Sequence, residues 1–175
     1  SFSSNFNTEL VEDMEKMFYS CNSLQSLDLS SFSTGNVKSM SRMFGECLNL
    51  KTLILPNKFY TDKVTDLSKM FQYCRSLTSI NLASFNTEEV TNMASMFERC
   101  NSLQILDISH FKTGKVKDMS YMFKECKLLT SLDVSKFETS NVENMNSMFQ
   151  FLEKVTILDV SHFETDKVTN MAGLF

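Results

Sequence analysis

The chain has 175 residues, of which 42% are hydrophobic and 22% are charged, and its formal net charge is −4. Acidic and basic residues are interspersed, so the sequence lacks the clustered basic face that nucleic-acid-binding proteins need. No apolar run reaches the roughly 18 residues of a membrane span. The length fits one globular domain over residues 1–175, and we expect a fragment of a longer chain because the repeat is cut at both ends.

An internal repeat of 26 residues dominates the sequence. Fourteen of the sixteen phenylalanines and all twelve methionines fall on columns with this spacing, and one unit is a residue longer. One phenylalanine column consists of Phe18, Phe44, Phe71, Phe97, Phe123, Phe149 and Phe175. The unit reads L-x-x-L-D-L-S-x-F-x-T-x-x-V-x-x-M-x-x-M-F-x-x-C-x-x, in about six copies with a partial copy at each end. Such a period indicates a solenoid or another repeat array.

Each unit begins with a short apolar alternation. In the first full copy Leu27 and Leu29 alternate with Asp28, and this period of two predicts a short strand. The segment S-x-F-x-T that follows is polar apart from its phenylalanine. It predicts a corner between two elements.

The second half of each unit has apolar residues three and four positions apart. This spacing, V-x-x-M-x-x-M-F-x-x-C-x-x-L, predicts an amphipathic helix of about two turns. The residue before the first methionine position always has a side chain that favours the N-cap of a helix. These residues are Asp13, Ser39, Asp66, Asn92, Asp118, Asn144 and Asn170.

Two places depart from the unit. The 27-residue copy carries its extra residue near Pro56-Asn57-Lys58, which predicts a bulge at a strand end, where proline is tolerated. The segment Met148–Leu152 adds Phe151 and has Leu152 in place of cysteine, which predicts the approach to a C-terminal cap or an interface. The partial end copies leave apolar residues without a neighbouring coil, so we also predict end-to-end self-association.

No single unit can bury its apolar residues alone, so we expect the units to stack in register. Parallel strands in such a stack lie about 4.8 Å apart. The predicted fold class is therefore α/β: a repeat solenoid with a parallel β-sheet on one face and short helices on the other. The repeated phenylalanine, methionine and cysteine columns are expected to form one continuous core.

The unit resembles leucine-rich repeats, in which L-x-x-L-x-L forms the strand of a solenoid. The segment LDLSSFSTGNVKSMSRMFGEC, from Leu27 to Cys47, resembles more closely the BspA-like leucine-rich-repeat surface proteins of bacteria. The resemblance covers essentially the whole chain, with Ile54 and Asn81 as departures in the aspartate column and Leu174 in a methionine column. It implies a right-handed superhelix displayed outside the cell, often in adhesion or host contact, and no catalytic residues.

The outward side of the predicted strands is the candidate binding face. It carries a column of aspartates with flanking serines, and like charges across a ladder repel each other. Three interpretations stay open: a hydrogen-bonded ladder that discourages edge aggregation, a ligand-binding surface, or a divalent-cation site that lacks calcium-loop spacing. The candidate residues are Ser26, Asp28, Ser30, Asn81, Asp107, Ser109, Ser131, Asp133, Ser135, Asp159 and Ser161.

The five cysteines form another column, Cys21, Cys47, Cys74, Cys100 and Cys126. Neighbouring coils about 4.8 Å apart bring their Cα atoms within disulfide range, so bridges stay open as an alternative. The odd number and the parallel side chains favour free buried thiols. A zinc site is disfavoured because the chain has no C-x₂₋₄-C pair.

No catalytic constellation is present in the sequence. It lacks the G-x-S-x-G, P-loop, G-x-G-x-x-G and H-E-x-x-H motifs. Its two histidines, His110 and His162, occupy the same repeat position two coils apart, about 10 Å, which is too far to share a metal ion. We therefore predict a protein that is not an enzyme and has no metal or cofactor.

The predicted function is a protein-interaction or adhesion module of a bacterial repeat protein that is displayed on the cell surface or secreted. The expected partner is a protein, such as a host extracellular-matrix or cell-surface protein. Two alternatives stay open: a stalk or spacer without a ligand, and a protein-binding scaffold in the cytoplasm, which free thiols would suit. Corner residues differ between copies, so the contacts lie either at the corners or on the strand face.

Overall fold

The computed structural model describes residue 2, residues 6–56 and residues 58–175. In these ranges the chain forms coils that stack on one another, one coil for each sequence unit. Parallel backbone bridges join residues 26 or 27 positions apart, for example Asp13 with Ser39 and Ser39 with Asp66. The repeat in the sequence is therefore also the repeat of the structure.

The strand segments pair only weakly. Strand β1 (Ser26–Asp28) lies parallel to strand β2 (Thr52–Ile54), with Leu27 opposite Leu53. Elsewhere in the described residues this segment contributes one isolated bridge, between Ser79 and Ile105. The predicted strands are thus reduced to one two-stranded sheet near the N-terminus.

The segment predicted to be helical is a series of β-turns. The last residue of turn Met14–Met17 donates its N–H to the carbonyl of the first at 3.2 Å, and turn Phe18–Cys21 closes in the same way at 3.2 Å. Their third residues, Lys16 and Ser20, both have a φ of 56°. A right-handed helix excludes that value, whereas the third residue of a type II turn requires a positive φ.

Alternate amides of this turn segment donate to the next coil. In the second coil Met40, Arg42, Phe44 and Glu46 donate their N–H groups to carbonyl oxygens of the third coil at 2.7 to 3.1 Å. The same four positions do so at each of the first five junctions between coils, and three of them do so at the last. The turn segments therefore form a continuous backbone ladder along the stack.

The predicted α/β solenoid, with a parallel sheet on one face and helices on the other, is wrong. The described residues contain two three-residue strands and no helix, and so no helix among them could cross a membrane. A helix needs each amide to donate four residues back, but here alternate amides donate to the neighbouring coil. The expected N-cap side chains instead close local turns, as when Asp66 accepts the Ser68 N–H at 2.8 Å.

Beneath the turn segments, phenylalanine rings stack along the core. Phe44, Phe71, Phe97 and Phe123 are at most 1% exposed, and consecutive rings lie 5.5 to 5.9 Å apart between centroids with planes within 9°. The buried methionine, leucine and valine columns join them in one hydrophobic cluster. Burial of these repeated side chains is the main apolar contribution to the stack.

Buried threonines at the corners form hydrogen bonds with the backbone of the next coil. The hydroxyl of Thr87 donates to the carbonyl oxygen of Lys112 at 2.9 Å and accepts the Lys112 N–H at 2.8 Å. Thr113 and Thr139 repeat both contacts with the coils that follow them. The hydroxyl thereby satisfies two backbone groups that the corner leaves without strand partners.

The unit with the extra residue lies at the end of β2. Its turn is closed by a 3.0 Å hydrogen bond from the N–H of Phe59 to the carbonyl of Pro56. The predicted bulge includes Asn57, which lies outside the described residues, so it stays a prediction.

Candidate functional site

The eleven side chains of the candidate binding face all lie on the outside of the stack. Every one of them is exposed to solvent. The register of β1 and β2 places Asp28 opposite Ile54, and the next coil has Asn81 at this position. The aspartate column is therefore interrupted after Asp28 and resumes at Asp107.

Each aspartate of the face closes its own turn. One carboxylate oxygen of Asp107 accepts the Ser109 N–H at 3.1 Å and the Ser109 hydroxyl at 2.7 Å. The same backbone contact is made by Asp28, Asp133 and Asp159 with the residue two positions on, and by the amide oxygen of Asn81. Such Asx turns give the column a structural role that is independent of any ligand.

The serine contacts also tune the charge of the face. The hydroxyl and then the N–H of the serine two positions on lower the pKa of Asp28, Asp107, Asp133 and Asp159. The charge of Asp107, in contrast, raises the pKa of Asp133, because the two neighbouring carboxylates repel each other. None of the seven ion pairs among the described residues includes these four aspartates. The four aspartates are therefore ionised at neutral pH without a close ion-pair partner among the described residues, and the charge of Lys136 also lowers the pKa of Asp133.

Three isoleucines are exposed on this face; the sequence placed Ile54 in the outward aspartate column, but Ile105 and Ile157 were not singled out from it. Ile105 and Ile157 are 69% and 82% exposed, and Ile54 is 45% exposed. The bridge to Ser79 places Ile105 in the row that begins with Ser26. The available signal was isoleucine at an outward position where other copies carry Ser or Thr. Ile105 and Ile157 lie in one row with Ser131 between them, so the face combines protruding apolar side chains with carboxylates.

A depression lies at the edge of the face, beside the unit with the extra residue. Its volume is about 250 Å³, and it is lined by Leu55, Pro56, Asn81, Ala83 and Ser84. Asn81 is the candidate residue that it contains. Ser135 lines a second depression of about 390 Å³, and Asp28 and Ser30 line a third of about 120 Å³.

The cysteine column lies inside the stack. All five cysteines are free; Cys21 is half-buried, and the other four are buried. Each buried thiol donates to a phenylalanine carbonyl of the preceding coil, as Cys74 does to Phe44 at 3.2 Å and Cys100 to Phe71 at 3.1 Å. Burial raises the pKa of Cys126 to about 12. These thiols are protonated and serve as packing and hydrogen-bonding groups.

The two histidines make equivalent structural contacts at the corners. Nε2 of His110 lies 3.1 Å from the carbonyl oxygen of Leu82, and Nε2 of His162 lies 3.1 Å from that of Val134. Each ring therefore joins its corner to the preceding coil. Among the described residues no group of three or more His, Cys, Asp or Glu side chains is arranged to hold a metal ion.

Comparison with known families accounts for the repeat. The model of the family described as "Mycoplasma protein of unknown function, DUF285" matches residues 2–55, 49–155 and 104–175. The chain belongs to this family. The more specific BspA-like assignment stays a prediction. No curated protein matches the sequence.

One solved structure shares the fold. The crystal structure of the leucine-rich-repeat protein of T. pallidum (TpLRR) superposes with a TM-score of 0.52 at 19% sequence identity. The superposition covers 93% of this chain and 63% of TpLRR, so the chain spans less than two thirds of that protein's length. At this identity the likeness shows a leucine-rich-repeat-like fold.

Proposed function

We propose that the chain is a non-enzymatic protein-interaction module that binds a protein partner through the candidate binding face. The observation that carries the proposal is the exposure of Ile105 and Ile157 beside aspartates that form none of the ion pairs among the described residues. Solenoid repeat proteins commonly use an extended surface of stacked coils for binding. The leucine-rich-repeat likeness supports the same class of function.

The proposed setting is the bacterial surface, where the module would act in adhesion to host extracellular-matrix or cell-surface protein. The resemblance of the repeat unit to BspA-like surface proteins supports this part of the proposal. The buried thiols are compatible with it, because their hydrogens are held by carbonyl groups and shielded from solvent.

The test is binding to a panel of purified extracellular-matrix proteins and to intact host cells, measured by surface plasmon resonance and flow cytometry. Two variants alter the face: Ile105→Ser with Ile157→Ser, and a triple exchange of its aspartates, Asp107→Asn, Asp133→Asn and Asp159→Asn. Asparagine keeps the oxygen that closes each turn, so the fold is retained while the charge is removed.

A control variant makes the same change in net charge at a corner. It combines Glu138→Gln, Glu164→Gln and Asp166→Asn, all exposed residues. Saturable binding that is lost in both face variants and kept in the control supports the proposal. Binding that all three variants keep places the contact elsewhere, and absence of binding to every probe favours a spacer.

A further inference from the structure

A depression of about 380 Å³ lies among the turn segments in the middle of the stack. Its lining comes from the third, fourth and fifth coils, with further coils on both sides, and includes no residue of the candidate binding face. The volume lies within the range of about 300–1,000 Å³ that small-molecule sites occupy. The depression is therefore large enough for a small ligand and is separate from the strand face.

A small side chain at one repeat position creates this space. Lys69, Ser95 and Tyr121 occupy the same position in successive coils, and their φ values are 58°, 56° and 59°. The lysine and the tyrosine border the depression, and Ser95 lies in the coil between them with only 4% of its surface exposed. A long side chain at Ser95, such as the two neighbouring coils carry, would fill the depression.

Two buried serines present hydroxyls without a protein partner to the depression. Ser95 and Ser120 are 4% and 5% exposed, and both line it. Neither side-chain hydroxyl forms a hydrogen bond with another described residue, whereas Ser41 and Ser68, the equivalents of Ser120 in earlier coils, bond to each other at 3.1 Å. The coil before Ser120 has Ala94 at this position and so offers no hydroxyl. Both hydroxyls can therefore donate to, and accept from, a molecule in the depression.

The lining also carries charges of both signs. The ammonium of Lys69 takes part in none of the seven ion pairs in the described part of the chain. Glu98 and Asp118 supply carboxylates. One oxygen of Glu98 accepts the Nε2–H of Gln72 at 2.7 Å, and the other bonds to no described residue. One lysine and two acids give the lining a formal charge of −1.

These groups match a ligand that carries several hydroxyls. The lysine ammonium only donates, the two carboxylates only accept, and the serine hydroxyls do both. An anion would be repelled by the carboxylates, and a cation would leave the lysine without a partner. Each hydroxyl of a sugar ring donates and accepts, so a sugar satisfies all three kinds of group. Tyr121 adds an aromatic ring at the edge, which can contact the C–H groups of a sugar.

We propose that this depression binds one uncharged hexose unit, either a free monosaccharide or the terminal sugar of a glycan. The hydroxyls of Ser95 and Ser120 bond to the sugar, together with the charged groups of Lys69 and Glu98. The backbone ladder holds the site in place without a ligand, since the Ser95 N–H donates to the Ser120 carbonyl at 2.7 Å. This inference does not depend on the function proposed for the strand face.

The experiment is an NMR titration of the ¹⁵N-labelled 175-residue chain with D-glucose, D-galactose and N-acetyl-D-glucosamine, and with the methyl β-glycoside of each. We expect at least one sugar to shift the amide signals of Ser95 and Ser120 saturably, with a Kd of about 1 mM for a ligand of this size. A methyl glycoside that binds as well as its free sugar indicates the terminal unit of a glycan. Binding of free sugars alone indicates a monosaccharide.

Two matched variants test the location. Ser95→Tyr fills the depression with the side chain that the next coil carries as Tyr121, at nearly the same φ, so the fold is retained. It should weaken sugar binding by at least about tenfold. Ser147→Tyr makes the same exchange at the same repeat position, at a φ of 51° and 6% exposure, outside the depression. It should bind as the natural chain does.

A second pair separates binding from stability. Ser120→Ala removes a hydroxyl without a protein partner, so it should weaken sugar binding about tenfold and leave the thermal unfolding midpoint unchanged. Ser68→Ala removes a hydroxyl that bonds to Ser41, so it should lower the midpoint and leave sugar binding unchanged.

Glycine, spermidine and inorganic phosphate serve as zwitterionic, cationic and anionic comparison probes in the same titration. A chain that binds none of the sugars overturns the proposal, whether or not it binds a comparison probe. Sugar binding that Ser95→Tyr keeps, or that Ser147→Tyr also loses, overturns the assignment to this depression.

Discussion

The two halves of each repeat are held to their neighbours by different means. The turn segment, from the first methionine to the cysteine, donates four backbone hydrogen bonds to the next coil at each of the first five junctions. The strand segment, by contrast, forms one pair of three-residue strands and one isolated bridge among the described residues. The strand segment, which was expected to pair along the whole stack, therefore forms few hydrogen bonds between coils. The turn segment, which was expected to be helical, forms the continuous ladder.

This difference separates stability from recognition. The turn segment covers the stacked phenylalanines, the buried thiols and the continuous ladder, so its residues are fixed by packing. The strand segment exposes isoleucines and ionised aspartates on a surface where few hydrogen bonds join neighbouring coils. Surface segments of that kind tolerate variation and carry contacts in other scaffolds.

The largest expected effect is a loss of stability at alkaline pH, caused by the buried thiols of the turn segment. Burial raises the pKa of Cys47 to about 11 and that of Cys126 to about 12. An unfolded thiol titrates near about 8.5, so the folded state holds protons that the unfolded state releases. The free energy of unfolding should therefore fall as pH rises above about 8.5, by up to about 1.4 kcal/mol per pH unit for each buried thiol.

Urea unfolding at a series of pH values measures this slope. The Cys126→Ala variant provides the control, because it lacks one of the four buried thiols. In this variant the unfolding free energy should fall less steeply with pH, because one thiol no longer contributes. An unchanged slope would show that other groups cause the alkaline loss.

Proline at a turn position should produce the next largest loss. Lys69 has a φ of 58°, and its N–H donates to the Ala94 carbonyl at 2.8 Å. Proline fixes φ near −65° and has no N–H, so Lys69→Pro should cost about 3 kcal/mol or more. Thermal unfolding checks this prediction, and a variant as stable as the natural chain would contradict the turn geometry.

Removal of one threonine hydroxyl should cost more stability at the buried corner than in the strand segment. Thr87→Val removes two hydrogen bonds and leaves both backbone groups of Lys112 unpaired, which should cost about 1–3 kcal/mol. Thr130 is exposed and donates one bond, to the Gln104 carbonyl at 3.3 Å. Thr130→Val should change stability by less than about 0.5 kcal/mol. Equal losses in chemical denaturation would remove the contrast between the two regions.

The smallest expected change in stability is that of Lys69→Gly, and whether it is a gain or a loss distinguishes a turn from a helix. At Lys69 a non-glycine residue is held at positive φ, so Lys69→Gly should stabilise the chain by up to about 1 kcal/mol. In a helix the same change would cost about 1 kcal/mol. Ala94→Gly, at a neighbouring turn position without positive φ, should destabilise by about 0.5–1 kcal/mol. Differential scanning calorimetry of both variants distinguishes the two geometries.

The repeat itself was predictable from the sequence, and its local geometry was not. The 26-residue spacing fixed which residues stack, because each column must bury the same side chain in every coil. Apolar residues three and four apart fit a helix, but they also fit successive four-residue turns. What decides between them is the positive φ at residues such as Lys69 and Glu46, and neither side chain indicates it.

The candidate face was only partly predictable. Its outward orientation followed from the alternation of residues such as Leu27 and Asp28, since leucine must be buried. The turn closed by each aspartate on its own backbone depends on how the strand ends, which the pattern did not contain. The exposure of Ile105 and Ile157 did not follow from the repeat, because both occupy a position where the other copies carry Ser or Thr.

The one-way direction of the turn ladder gives the stack an electrical polarity. Four turn N–H groups point from one coil to the next at each of the first five junctions, and three do so at the last. One N–H just before the turn segment, such as that of Lys38, points the other way, so the peptide dipoles leave a net component along the stacking axis. An α-helix has the opposite sense, with its positive end at the N-terminus. In this fold the positive end of the ladder dipole points toward the coils that follow in the chain.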